Sequence, residues 1–329
     1  MKALPRYLGL CITLFSSIVC ATGADYGIIQ QPVHSSAQRM SESFRQHLKQ
    51  HPELLEISNY DHRSAAQYAG LDLGTSNVVF YLPRELALNT LQQQPLAALD
   101  ALQAIAFMEA EDGSVSMITN SADYLLKRHD LSLRRLAAWQ SINQLAAEGG
   151  GNSKVQPREG LITRHSPLPV AAIQQALTKH IEQSTQLQLA ASINYADLQH
   201  GSSQGLLPET ELLLIAAPML SAPLIQQQAS LAVDVFPARL LVLDDPQGGS
   251  QLIYNSLSYG LQRHQLALND AQLASLELQF SQLWKPLLDA AKAVPEQTQG
   301  ERWRWLYWLL AVLLLIALIA YRKHRAEDP

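Results

Sequence analysis

Residues 118–131 read ITNSADYLLKRHDL, and residues 253–266 read IYNSLSYGLQRHQL. Eight of the fourteen positions are identical: Ile, Asn, Ser, Tyr, Leu, Arg, His and Leu. Asn120 matches Asn255 and His129 matches His264, each pair 135 residues apart. Self-similarity at one offset marks a duplicated unit and decides the fold before any single motif does. The expected fold class is α+β, with two similar small mixed α/β-sheet domains in tandem.

The flanking patterns agree. Ala37, Met40, Phe44 and Leu48 recur at helical spacing after Ser36, a plausible N-cap. Leu54 to Ser58 reads as a strand, and Asp61 can cap a helix over His62 to Ala69 that Gly70 ends. Val78 to Leu82 is a short buried strand closed by Pro83, and Leu86 to Leu102 is helical with a break near Pro95. Two strands flank the turn at Glu111-Asp112-Gly113, and a helix follows from Ser121 to His129. Leu133 to Ala147 adds an amphipathic helix. The second copy repeats the order: helix Val170 to Ser184, strand Leu187 to Ile193, strand Leu212 to Ala217 with Pro218, and paired strands around Gln247-Gly248-Gly249. Helices follow over Leu257 to His264 and Asp270 to Lys292, the last with a kink at Pro286.

The ends carry location signals. Lys2 and Arg6 precede an apolar run from Tyr7 to Cys20, then Ala21, Thr22, Gly23 and Ala24, the order of a secretory signal. Near the other end, Trp305 to Tyr321 has no charge and covers roughly 25 Å as a helix. Interfacial aromatics flank it, and Arg322, Lys323 and Arg325 follow, which the positive-inside rule places in the cytoplasm. The expected layout is a signal peptide (1–24), a first repeat domain (25–148), a linker (149–159), a second repeat domain (160–294), a tether (295–302), a transmembrane helix (303–321) and a cytoplasmic tail (322–329). The body would then sit in the periplasm, held to the inner membrane by one span.

Composition narrows the function. Hydrophobic content of 47% and charged content of 16% describe a folded chain. A net charge of −5 argues against a nucleic-acid partner. Both cysteines, Cys11 and Cys20, lie in the signal, so the mature chain has no thiol chemistry. No zinc, haem, dinucleotide or nucleophile-elbow motif occurs, and no cofactor or metal is expected.

Both copies resemble the bacterial domain of unknown function 302 family. In the first copy the resemblance rests on Tyr60-Asp61-His62 through Gly70-Leu71, the strand closing at Pro83, Glu109 to Gly113, and Asn120 through Leu131. In the second it rests on the strand closing at Pro218, Asp234 with Pro237, the strand through Asp244, and Tyr254-Asn255 through His264. The family's strand usually ends in a Phe-Gly-Asn-Pro-like turn, which here is Phe80-Tyr81-Leu82-Pro83 and Ile215-Ala216-Ala217-Pro218. The Asp-His pair becomes Ala196-Asp197 in the second copy. The resemblance implies the fold and little else.

Two sets of residues are candidates for chemistry. Asp61-His62 is the best reactive pair, because a carboxylate can set a histidine tautomer; Asp61 as a simple N-cap is the competing reading. The set kept in both copies is Asn120, Tyr124, Arg128 and His129 with Asn255, Tyr259, Arg263 and His264. It reads either as caps, outward-tipped i, i+4 pairs and dipole-stabilising cations, or as a shared binding surface. The favoured function is a non-catalytic binding or interaction module whose partner is a periplasmic or membrane protein or a small ligand. The alternative is a periplasmic enzyme using Asp61-His62 of the first copy. A cleft converging Asp61, His62 and a further titratable group would favour the enzyme.

Overall fold

Ile28–Val33 (β1) opens the first half, followed by Ala37–Gln50 (α1), Leu54–Asp61 (β2), His62–Tyr68 (α2), Ser76–Pro83 (β3), Arg84–Gln93 (α3), Ala98–Ala101 (α4), Gln103–Glu109 (β4), Val115–Asn120 (β5) and Ala122–Arg128 (α5). The second half runs Leu161–Ser166 (β6), Val170–Gln183 (α6), Gln188–Asn194 (β7), Thr210–Ala216 (β8), Pro218–Gln227 (α7), Ala238–Asp244 (β9), Ser250–Asn255 (β10), Leu257–Arg263 (α8) and Asp270–Ala290 (α9). The structure, a computed structural model, describes residues 26–132, 153–199 and 208–292. The expected signal sequence, the expected helix over 133–147, the glycines of the expected linker and the expected membrane span fall outside those residues. Among the described residues, no helix is long and apolar enough to cross a membrane.

The sheets have strand orders β1-β5-β4-β3-β2 and β6-β10-β9-β8-β7, which are the same order five strands apart. Every pairing among the described residues is antiparallel, so each half combines helices with an antiparallel five-stranded sheet, in keeping with the α+β class. By these pairings β1 and β2 lie at opposite edges and run in the same direction, so α1 crosses the whole sheet, as α6 does between β6 and β7, whereas α2 and α3 return the chain antiparallel.

Both faces of each sheet are covered. On β3, Val79 and Tyr81 pack toward α1 with Leu48 and Leu54. Val78, Phe80 and Leu82 point the other way, into one cluster shared with Leu212, Leu214 and Leu241 of the second half. A strand buried on both faces reads as an unbroken apolar run, which is why Val78 to Leu82 lacks alternation. α6 and α9 cover the outer face of the second sheet through Ile173, Leu177, Trp284 and Leu287. The halves therefore share a central core, and residues up to 292 belong to one compact unit.

Edge strands β2 and β7 meet where both are bulged, between Glu56 and Ser58 and between Leu189 and Ala191. Ser58 Oγ donates to the Ala190 carbonyl at 3.2 Å. Bulges turn an edge away from continuous pairing, so the sheets abut without fusing.

Three local readings change. The pattern places a helix first in each copy, but β1 and β6 precede it. Pro32 in β1 and the run Thr163-Arg164-His165 in β6 hide the strand signal. Pairing to β5 and β10 makes them strands, as edge positions tolerate proline. Strand β2 also runs to Asp61 rather than stopping at Ser58. Finally, Pro83 is the N-cap of α3, whereas Pro218 is the first residue of α7. The two closing prolines are thus one position out of step.

Candidate functional site

The repeated motif lands at the seam between the halves. Ser121 and Ser256 cap α5 and α8 by accepting from the amides of Tyr124 and Tyr259. This leaves Asn120 and Asn255, expected to share the capping, free to reach across. At the other end, Asp130 and Gln265 adopt left-handed backbone (φ 50° and 57°). The amides of Leu131 and Leu266 then bond back to the carbonyls of Leu126 and Leu261, a Schellman closure in both copies. Tyr and Arg, four residues apart, share one face of each helix, and His follows as its C-cap.

Arg128 is fully buried. Its Nη1 lies 2.7 Å from Asp100 Oδ2 and donates to the Tyr124 hydroxyl at 2.8 Å. Its Nη2 crosses to the other half, donating to Asn255 Oδ1 at 2.6 Å and to the Glu159 carbonyl at 2.9 Å. Arg263 mirrors this arrangement. It pairs with Asp234, donates to Asn120 Oδ1 at 2.6 Å and reaches the Tyr26 carbonyl at 2.9 Å. The stacking is exchanged too: Arg263 lies 3.6 Å from the ring centroid of Tyr124, and Arg128 lies 5.0 Å from that of Tyr259. Each arginine thus binds the carboxylate of its own half and the asparagine, backbone and tyrosine ring of the opposite end of the seam.

Two glycines allow this approach. Gly27 and Gly160 have φ of 71° and 70°, and their carbonyls accept from the amides of Ser121 and Ser256. A Cβ on Gly27 would lie 2.5 Å from Tyr124 Cβ, and one on Gly160 would lie 2.1 Å from Tyr259 Cγ. Only glycine fits at either position.

The histidines complete two carboxylate clusters. His129 Nε2 is 2.8 Å from Asp100 Oδ2, and His264 Nε2 is 2.7 Å from Asp234 Oδ1. Burial by itself would raise the Asp100 carboxyl. Arg128, His129 and Arg239 outweigh that and hold it well below the usual carboxylate range. Burial opposes ionisation of Asp234 as well, and Arg263 and His264 reverse the balance. Burial lowers His264 despite Asp234, so its ring is neutral at neutral pH.

The sequence reading missed Asp100, Asp234 and Arg239 as members of this layer. A signal for them exists: Asp100 is the lone charge in the apolar run Ala97–Phe107, and Asp234 and Arg239 are the two charges in the run Leu231–Leu243. An isolated ionised side chain in such a run needs a buried partner. The expectation that Tyr124, Arg128, Tyr259 and Arg263 point their polar tips outward is corrected: both arginines and Tyr124 are buried and Tyr259 is partly so. They form no exposed binding surface. An i, i+4 spacing shows only that two side chains share a helix face, and here that face meets the other half.

Asp61-His62 does not converge. Asp61 accepts from the amides of Arg63 and Ser64 and from Ser64 Oγ, the work of an N-cap. His62 turns inward beneath Tyr60, their rings edge to face at 4.8 Å. Burial pushes its pKa down to about 4, against the opposing influence of Asp61 and a hydrogen bond with the backbone of Phe236. Strand register corrects the second-copy counterpart. Tyr60 pairs with Val78 as Ile193 pairs with Leu212, so Asp61-His62 corresponds to Asn194-Tyr195, not to Ala196-Asp197. Asn194 likewise accepts from the amide two residues on, and Tyr195 sends its hydroxyl across to the Ala98 carbonyl at 2.7 Å. The cap and the inward ring are kept, while the titratable chemistry is not.

One catalytic-looking connectivity does occur. His264 Nδ1 lies 2.9 Å from Ser230 Oγ, while its Nε2 faces Asp234. Ser230, His264 and Asp234 are all buried, however, and Asp234 is also engaged by Arg263 and by Asn120 Nδ2 at 2.8 Å. A nucleophile needs room for an acyl group beside oxyanion donors. Ser230 is not among the residues that line the cavity beside Asp234 and Arg239.

Residues 29–148 match the family model described as domain of unknown function DUF302. The first half is therefore similar to a DUF302 domain. A crystal structure of an uncharacterized conserved DUF302 protein from Bacillus stearothermophilus is similar at 12% identity, with a TM-score of 0.34, covering 41% of this chain and 99% of that one. No curated protein matches the chain.

Proposed function

We propose that this protein is a non-catalytic, membrane-tethered periplasmic interaction module, in which a DUF302 domain and a second copy of the same unit are joined into one rigid body. The observation that carries this reading is the use of the motif's polar groups. Seven of the eight repeated residues that could have formed a site bond instead to each other, to Asp100 and Asp234 and to the chain entering each half, and the eighth, Tyr259, lends its ring to Arg128. The reactive-pair alternative is weakened by Asp61 serving as a cap and His62 being buried away from it. The tandem-copy reading draws on the identical strand orders and the repeated sequence. The tethered reading draws on the signal-like start and the apolar, aromatic-flanked run over 303–321.

Two experiments test it. The mature chain has no cysteine, so single cysteines report topology cleanly. Tyr68→Cys, at a position 78% exposed, should react with an impermeant maleimide in intact spheroplasts, and Asp328→Cys only after lysis. The reverse pattern would end the periplasmic assignment. Catalysis is tested with a fluorophosphonate probe: no labelling is expected, and labelling abolished by Ser230→Ala would make the protein a hydrolase.

A further inference from the structure

The buried seam is short of negative charge. Three guanidinium groups, Arg128, Arg239 and Arg263, lie there with two carboxylates, Asp100 and Asp234, among the described residues. Neutral His264 adds nothing to the balance. Arg239 is the most weakly paired of the three cations. Ile253 faces Leu241 as Ile118 faces Ala106, so Arg239 occupies the place that Ala104 holds in the first sheet. It approaches Asp100 Oδ1 only to 3.6 Å. Its Nη1 donates to the carbonyls of Leu99 and Leu102, and its Nη2 to that of Val233. These dipoles hold the group but do not cancel a full charge, and a buried charge needs a counter-charge.

A small cavity adjoins Arg239 at the end of the second sheet, lined among others by Asn255, Tyr259, Arg263 and Trp284. Three of its lining residues have a buried polar atom with no hydrogen-bond partner: Arg239 Nε, Trp284 Nε1 and Tyr259 Oη. Two of these can only donate. Asp234 also lines the cavity, but its oxygens are engaged by Arg263, His264 and Asn120. Unmet donors beside surplus positive charge call for a single acceptor.

We propose that this cavity binds a small monovalent anion, of halide or formate size, held by Arg239, Trp284 and Tyr259 and serving as the seam's missing counter-charge. In the first half, Ala104 stands where the arginine stands in the second. The proposal does not depend on the tethering or on the absence of catalysis.

Bromide is the probe, used on the full chain purified in detergent. Thermal unfolding is followed at constant ionic strength while bromide replaces gluconate. The midpoint should rise along a saturating curve, and crystals grown in bromide should show an anomalous peak between Arg239 and Trp284. Trp284→Phe keeps the packing and removes one donor, so it should weaken bromide binding about tenfold or more. Arg239→Gln should abolish the saturating part. A midpoint in the unmodified protein that does not respond to bromide would overturn the site. So would a response of unchanged affinity in Trp284→Phe, which is available even if Arg239→Gln fails to fold.

Discussion

Single side chains at the seam carry large consequences because burial removes water as an alternative partner. Asp100→Asn would leave Arg128 and Arg239 buried with their principal anion gone, and a loss of about 3–5 kcal/mol is expected in denaturant unfolding. Gly160→Ala would place a methyl group inside the Tyr259 ring position on a left-handed backbone; a loss of roughly 2 kcal/mol or more should follow, with a similar trend for Gly27→Ala. His62 sets a pH dependence. Its folded pKa, about 4, lies below the ordinary 6.5, so the unfolded chain binds the proton more tightly. The contribution is whole above pH 6.5 and is lost as pH falls toward 4, up to about 3 kcal/mol. His264, also lowered by burial, acts in the same direction, and Asp100 and Asp234 add a second loss below the ordinary carboxylate range. His62→Gln should flatten the stability profile between pH 6.5 and 4 without abolishing it. An unchanged slope would show that His62 is hydrated in solution.

At the scale of elements, the two short motif helices depend on their ends. A seven-residue helix has too few internal hydrogen bonds to persist alone. Serine caps at one end and Schellman closures at the other hold it in place. Gln265 occupies a left-handed position with no special advantage, so Gln265→Gly should raise stability by about 0.5–1 kcal/mol, measured by chemical denaturation. Ser256→Ala at the opposite end should lower it by about 1 kcal/mol. These local features were readable from the chain: serine before the apolar run, cations in the last turn, leucine after the stop. The capping role of Asp61 was readable in the same way. Strands β1 and β6 were not, because an edge strand is made by its neighbour's hydrogen bonds rather than by its own pattern.

At the scale of the molecule, the shared core means that neither half should behave as an independent domain. Val78, Phe80 and Leu82 of one sheet and Leu212 and Leu214 of the other would be bared by separation. The first half expressed alone should therefore self-associate or aggregate, as judged by light scattering after size exclusion; a stable monomer would contradict the single core. The Asn120→Ala, Asn255→Ala double variant should lower stability while retaining one cooperative transition, because the apolar seam remains.

The repeated motif, the α+β class, most helix bounds and the chemistry-bearing residue types followed from the chain alone, since these depend on local periodicity and on self-comparison. Where the repeated Tyr, Arg and His point could not follow from it. A helix face rich in polar groups looks the same whether water or another half of the protein lies opposite, and only the packing of the two sheets supplies Asp100, Asp234 and the crossing asparagines. Tertiary structure alone decided that this set closes on itself, because a buried arginine is stable only where the fold brings it an anion.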